Sequence, residues 1–192
     1  MSLPNVAVGE PILASTQNGL INHVNRSPGR AVFTSDGIWS VPPGVYKFRV
    51  YLCGGGGSRG GDAPFGEGDT KYGGDGGPSP LCSKDFAGVE IGTSYNITIG
   101  QGATSGTGGT SSFGTVLQST GGHQGESGYS DYPQSGDRGT HTGELTHGNN
   151  RYIYPNNTSK GEGQGFGAGA QLLSVIPLVD LPAVDGICVI EW

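Results

Sequence analysis

Residues 33–61 read FTSDGIWSVPPGVYKFRVYLCGGGGSRGG, and this stretch decides the fold. It opens on an aromatic strand, turns at Pro42-Pro43-Gly44, and alternates cleanly from Val45 to Cys53. Tyr46, Phe48, Val50 and Leu52 fall on one face, and Lys47, Arg49 and Tyr51 on the other. A period of two marks a β-strand with one buried face. The Pro-Gly pair suits a tight turn, because proline presets φ and glycine accepts positive φ. The strand then runs into Gly54-Gly55-Gly56-Gly57. Glycine is costly to order and packs no side chain, so such a run implies close approach of backbone to backbone.

Composition sets the limits around that stretch. Of 192 residues 39 are glycine, about three times the usual share, and apolar residues make up only 33%. One domain is expected, with a small core supplied by a few short apolar segments. The net charge of −6 argues against nucleic acid, since a phosphate backbone calls for Lys and Arg. No apolar run approaches the roughly 18 residues of a membrane span and no signal peptide opens the sequence, so no membrane insertion is expected. Cys53, Cys82 and Cys188 form neither a disulfide framework nor a zinc pattern. Cys53 and Cys188 sit in apolar strands, where cysteine acts as a small buried hydrophobe. A chain built this way suits a reducing cytosol.

Elsewhere along the chain the signals are shorter. Residues 1–30 carry only three glycines. Ser15 or Thr16 can cap a helix over 17–25 that places Leu20, Ile21 and Val24 on one face. Fewer than three turns do not hold alone in water, so this face needs a partner in its own domain, a sister subunit or a particle. The expected organisation is therefore an N-terminal attachment segment, 1–30, followed by a glycine-rich β domain, 31–192. Within that domain residues 54–86 read as a polar glycine-rich loop. A strand pair is expected over 88–91 and 95–99, with Phe113, Val116 and Leu117 adding an apolar segment. Residues 170–192 return to apolar strands broken by Pro177 and Pro182.

The glycines follow two spacings. Gly54, Gly57, Gly60 and Gly122, Gly125, Gly128 recur every third residue, which would lay them along one edge of a polyproline II helix, the alternative being a set of flexible Gly/Ser-rich loops. Gly161 to Gly169 recur every second residue, which strips one face of an extended strand. The fold expected is mainly β, a small antiparallel β-sandwich with glycine-rich, polyproline II-like insertions and a short N-terminal helix.

The motif F-x-x-D-G-x-W-x-V-P-P-G-V, followed by an alternating strand and four glycines, resembles the glycine-rich domain of phage tail fibres and related virion appendages. Tyr95–Gly102 and Ser111–Gly114 resemble that family's middle strands, and Gly186–Trp192, ending in Glu-Trp, resembles its closing strand. The resemblance spans about residues 31–192. It implies a structural virion protein, made in the host cytoplasm, that serves as a tail fibre or tip subunit and binds a host cell-surface polysaccharide or outer-membrane component. It implies other virion proteins as partners, a homotrimer, and ordered polyproline II packing of the glycine-rich part. The alternative is a structural piece of the particle that binds no receptor, such as a head fibre, decoration or baseplate protein. An enzyme that degrades envelope polysaccharide is the weakest reading.

No cofactor and no catalytic or metal site is expected. Gly163 to Ala168 fits G-x-G-x-x-A but lacks the flanking strand and helix of a dinucleotide site. His123, His141 and His147 fall in no metal-binding spacing. The chemistry-bearing stretch is 129–157, YSDYPQSGDRGTHTGELTHGNNRYIYPNN. Tyrosines among Asn, Ser and Gly are the mixture that binding loops favour. Tyr129, Asp131, Tyr132, His141, His147, Asn149, Tyr152, Tyr154 and Asn156 are the candidate receptor contacts. The same tyrosines could instead close a small core. Leu20, Ile21 and Val24 are the candidate attachment or oligomer contacts.

Overall fold

The structure is a computed structural model, and it describes residues 29–65, 69–128, 135–145, 168, 171–173 and 179–192. The helix expected over 17–25, with Leu20, Ile21 and Val24, lies outside the described residues. So do the alternate glycines from Gly161 to Gly167 and Gly169.

Thirteen strands are described: β1 (Arg30–Phe33), β2 (Gly37–Ser40), β3 (Lys47–Cys53), β4 (Ala63–Phe65), β5 (Asp69–Lys71), β6 (Leu81–Ala87), β7 (Ser94–Thr98), β8 (Ser111–Phe113), β9 (Leu117–Ser119), β10 (Glu144–Leu145), β11 (Gln171–Leu173), β12 (Val179–Leu181) and β13 (Ile187–Glu191). A five-stranded sheet, β1-β13-β3-β6-β10, faces a four-stranded one, β2-β7-β8-β9. Every pairing is antiparallel, and β4-β5 and β11-β12 form two separate hairpins. The expected small antiparallel sandwich is present.

The alternation read in residues 45–53 places the core. Phe48, Val50 and Leu52 are buried while Lys47 and Arg49 are exposed. From the facing sheet come Trp39, Ile97, Phe113 and Leu117, all nearly inaccessible. Aromatic rings fill the gap: Trp39 meets Phe48 edge-on at 4.7 Å, Phe48 stacks on Phe86 at 4.8 Å, and Tyr95 stacks on Phe113 at 4.4 Å. Full burial of a ring such as Phe48 or Phe113 stabilises by about 1.5–3 kcal/mol. Cys82 and Cys188 lie in this core, and Cys53 lies in a smaller cluster with Leu81, Ile187 and Val189. All three thiols are free and buried, and burial pushes each pKa up to about 12.

Two expectations are corrected. Residues 81–87 are not loop but the strand β6, paired along its whole length with β3 from Lys47↔Ala87 to Cys53↔Leu81. Residues 88–91, expected as a strand, belong to a turn. Gly88 and Gly92 have φ of 70° and 80°, a left-handed conformation that ends a strand. Lys84 and Asp85 obscured β6 in the sequence; both are exposed, and Asp85 forms a forked pair with Arg49 across the strands.

The two ends of the sandwich differ. At one end short turns join β2 to β3, β6 to β7 and β8 to β9. At the other, β3, β7 and β9 run out into glycine-rich segments, and β6, β8 and β13 emerge from them.

Candidate functional site

The glycine-rich segments form a hydrogen-bonded bundle whose repeat is three residues, not two. Residues 54–61 run through its centre and bond on every edge. On one edge the Gly55 and Ser58 N–H groups donate to Gly109 and Gly106 carbonyls at 2.9 and 3.0 Å. The carbonyls of Gly55, Ser58 and Gly61 accept from Gly122, Gly125 and Gly128 at 3.0, 3.0 and 2.8 Å. On the next, Gly57 and Gly60 donate to Gly77 and Gly74 at 2.9 and 2.8 Å. On the third, Gly56 donates to Val184 and accepts from Ala103, both at 2.9 Å. Partners advance by three along both chains, the periodicity of polyproline II. An isolated polyproline II helix has no internal hydrogen bonds, so its polar groups must be satisfied by neighbours.

Bundling extends outward by the same rule. Gly77 and Gly74 donate to His123 and Glu126 carbonyls, both at 2.8 Å, and Gly136 and Gly139 donate to Asp75 and Pro78 at 2.8 and 3.3 Å. Main chains approach too closely here for any side chain. A Cβ on Gly57 would fall on the His123 carbonyl, one on Gly60 on that of Glu126, and one on Gly122 on that of Gly77. The triads therefore sort their residues: Gly122, Gly125 and Gly128 are buried, and His123, Gln124, Glu126 and Ser127 are exposed. The bundle shows solvent an imidazole, an amide, a carboxylate and a hydroxyl on a backbone that hydrogen bonds hold in place.

Serines join the two periodicities. Ser79, Ser111 and Ser119 are buried where the strands end. The Gly54 N–H donates to Ser79 Oγ at 2.7 Å, Gly100 N–H donates to Ser111 Oγ at 2.9 Å, and Ser119 Oγ donates to the Pro80 carbonyl at 2.7 Å. These hydroxyls satisfy main-chain groups that neither repeat can pair at the change of period.

The β4-β5 hairpin leaves the bundle between Gly61 and Gly73. Its base is clamped by Arg59 and Asp62, 2.6 Å apart at Nη1 and Oδ1, and the Gly73 N–H donates to the same carboxylate at 3.0 Å. The Arg59 guanidinium holds the Asp62 carboxyl below its ordinary pKa. Beyond the clamp Phe65 is 57% and Tyr72 45% exposed, with the Lys71 ammonium 5.2 Å from the Phe65 ring centre. Exposed rings of this size are the contact residues that binding surfaces use.

Of the receptor contacts expected from the sequence, His141 alone falls among the described residues. It is exposed and forms an isolated bridge with Ser119 beside β9, at the boundary of sandwich and bundle. Tyr129, Asp131, Tyr132, His147, Asn149, Tyr152, Tyr154 and Asn156 lie outside the described residues. The sequence reading passed over Phe65, Tyr72, Gln124, Glu126 and Ser127 as contacts. The glycine triads could have marked the last three, because residues between buried glycines must point outward. Among the described residues no group of three or more His, Cys, Asp or Glu could hold a metal ion.

Comparison of the chain with curated proteins gives no match. A family model described as a glycine-rich domain matches residues 32–174, which take in the motif that begins at Phe33, most of the bundle and most of the sandwich. The chain belongs to that glycine-rich domain family.

Proposed function

We propose that this protein is a structural subunit of a phage tail fibre or tip, and that the glycine-rich bundle is the part it turns toward a host cell-surface polysaccharide or outer-membrane component. The observation that carries the reading is the bundle itself. Its hydrogen bonds advance in threes through residues 54–61 and 121–128 and leave His123, Gln124, Glu126 and Ser127 exposed at fixed spacing. A stiff scaffold presents such groups without the entropy loss that a floppy loop suffers on binding. Each contact is weak, so adhesion rests on copy number, and a homotrimer repeated on a particle supplies it.

The test is adsorption of particles that lack the subunit. Intact particles that no longer bind host cells support receptor recognition. Particles that fail to assemble point to a head fibre, decoration or baseplate role instead. Direct binding of the purified chain to whole cells, repeated on cells stripped of surface polysaccharide, then separates a glycan from a protein receptor. Shortening of purified host polysaccharide by the chain would overturn the non-enzymatic reading.

A further inference from the structure

The two long sides of the sandwich are finished differently. On one, β9 meets residues 140–142, with Thr142 N–H donating to the Gln118 carbonyl and Thr120 N–H to that of Thr140, both at 2.8 Å. The chain then turns at Gly143, φ 91°, and pairs with β6 as β10. Lys84 Nζ reaches the Val116 carbonyl across the same side, at 3.3 Å. A crossing segment and a lysine are devices by which proteins close a sheet edge. On the opposite side β1 ends one sheet and β2 ends the other. Among the described residues no strand lies beyond either, and Val32 and Ile38 there are 47% and 68% exposed.

These two edges match each other. Gly29 and Trp192 exchange both backbone hydrogen bonds, at 2.8 and 3.0 Å. Bonded and non-bonded pairs alternate along an antiparallel ladder, so Val32, opposite Val189, directs its N–H and C=O away from β13. On β2 the Val41 N–H donates to the Thr93 carbonyl at 2.9 Å, and the same alternation turns the N–H and C=O of Ile38 and Ser40 away from β7. β1 runs with β3 toward the glycines, whereas β2 runs against β7 and so away from them. Each strand is four residues long. They sit at one level, for a Cβ on Gly37 would lie 3.0 Å from the Phe33 ring.

We infer that copies of this chain assemble by strand addition, β1 of one copy lying antiparallel to β2 of the next, with Val32 opposite the partner subunit's Ile38. Rotation about an axis along the strands changes neither direction nor level. Opposed strands of equal length therefore meet in register, and their outward N–H and C=O groups face each other as a ladder pair requires. The sheet that ends in β1 continues into the partner's sheet that begins with β2, and the two branched side chains share one outer face. Main-chain hydrogen bonds supply affinity, and Val32 and Ile38 fix the register. Both edges lie on one side of the sandwich, so the contacts close as a ring around that axis. Every bundle then points the same way. The inference does not depend on what the bundle binds.

Light scattering and hydrogen exchange on the full chain test it, with Ile38→Lys as the variant. The parent should be a closed dimer or trimer, and Ile38→Lys should weaken self-association at least tenfold. Unchanged exchange in β7 and β13 shows that the variant still folds. The Val32 amide should exchange at least tenfold slower in the oligomer than in the variant. A monomeric parent, whether or not its Val32 amide is protected, overturns the inference, and so does an oligomer that survives Ile38→Lys. A Val32→Cys, Ile38→Cys pair then checks the register. Across a ladder pair the Cα atoms lie about 5.5 Å apart, within disulfide reach. Within one chain the two positions lie on the outer faces of sheets about 10 Å apart, beyond it. The native thiols are buried. A covalent multimer on oxidation supports the pairing, and a product that stays monomeric refutes it.

Discussion

The sandwich and the glycine-rich bundle share strand ends and solve opposite packing problems. In the sandwich, side chains fill the space between two sheets, and Phe113, Leu52 and Val50 are almost wholly inaccessible. In the bundle, main chain fills the space, and the buried positions are Gly55, Gly57, Gly60 and Gly122. The first gains stability from area removed from water. The second gains little apolar area and orders the most costly residue to order, so hydrogen bonds and close dispersion contact must carry it. A sandwich of this kind tolerates changes that conserve volume. The bundle tolerates no added volume at its shared edges, and only on its outer segment, 122–128, do the residues between buried glycines face solvent.

That contrast can be broken by deletion on one side and insertion on the other. Phe113→Ala empties the centre of the sandwich and should cost about 3–5 kcal/mol in urea unfolding. Gly57→Ala adds a single methyl that meets the His123 carbonyl, and should cost about 3 kcal/mol, the upper end of overpacking. Its control is Gly61→Ala, where a Cβ has open space and the unfolded chain loses freedom, giving a change of about 0.4–1 kcal/mol in the stabilising direction. Equal, small effects at Gly57 and Gly61 would show that the bundle is loose, and the contrast would collapse. Ser119→Ala, at the seam, leaves the Pro80 carbonyl without its 2.7 Å donor and should cost about 1–3 kcal/mol.

How much of this the sequence shows depends on which region is read. The strands from Phe33 to Cys53 were legible because apolar residues alternate without interruption. β6 was not, because Lys84 and Asp85 hide a strand whose partner lies 36 residues away, at Arg49. Val89 and Ile91 mimicked a strand, and only the positive φ at Gly88 and Gly92 reveals a turn. The bundle was half legible. A spacing of three identifies an edge, but which segment lies against which is set by registers such as Gly57 to Gly77 and Gly122 to Gly55. No local pattern encodes them. For the same reason the exposed residues within the triads escaped notice, while tyrosine content drew the reading to 129–157.

Acid separates the regions by the smallest margin. Asp62, at the hairpin base, and Asp85, on the outer face of the sandwich, each sit beside an arginine that holds the carboxyl below its ordinary pKa. A depressed folded-state pKa contributes stability that is present above the unfolded value, about 3.9, and lost as pH falls through the lower folded value. Both pairs should therefore weaken only below about pH 4. The Arg49–Asp85 side chains are 44% and 65% exposed, against 15% and 34% for Arg59–Asp62. Solvent screens the first pair more, so Asp85→Asn should change stability by less than about 0.5 kcal/mol. Asp62→Asn also weakens the acceptor for the Gly73 N–H and should cost roughly 1 kcal/mol, with faster hydrogen exchange confined to β4 and β5. Faster exchange that spread into β3 instead would mean that the hairpin base and the sandwich unfold as one unit.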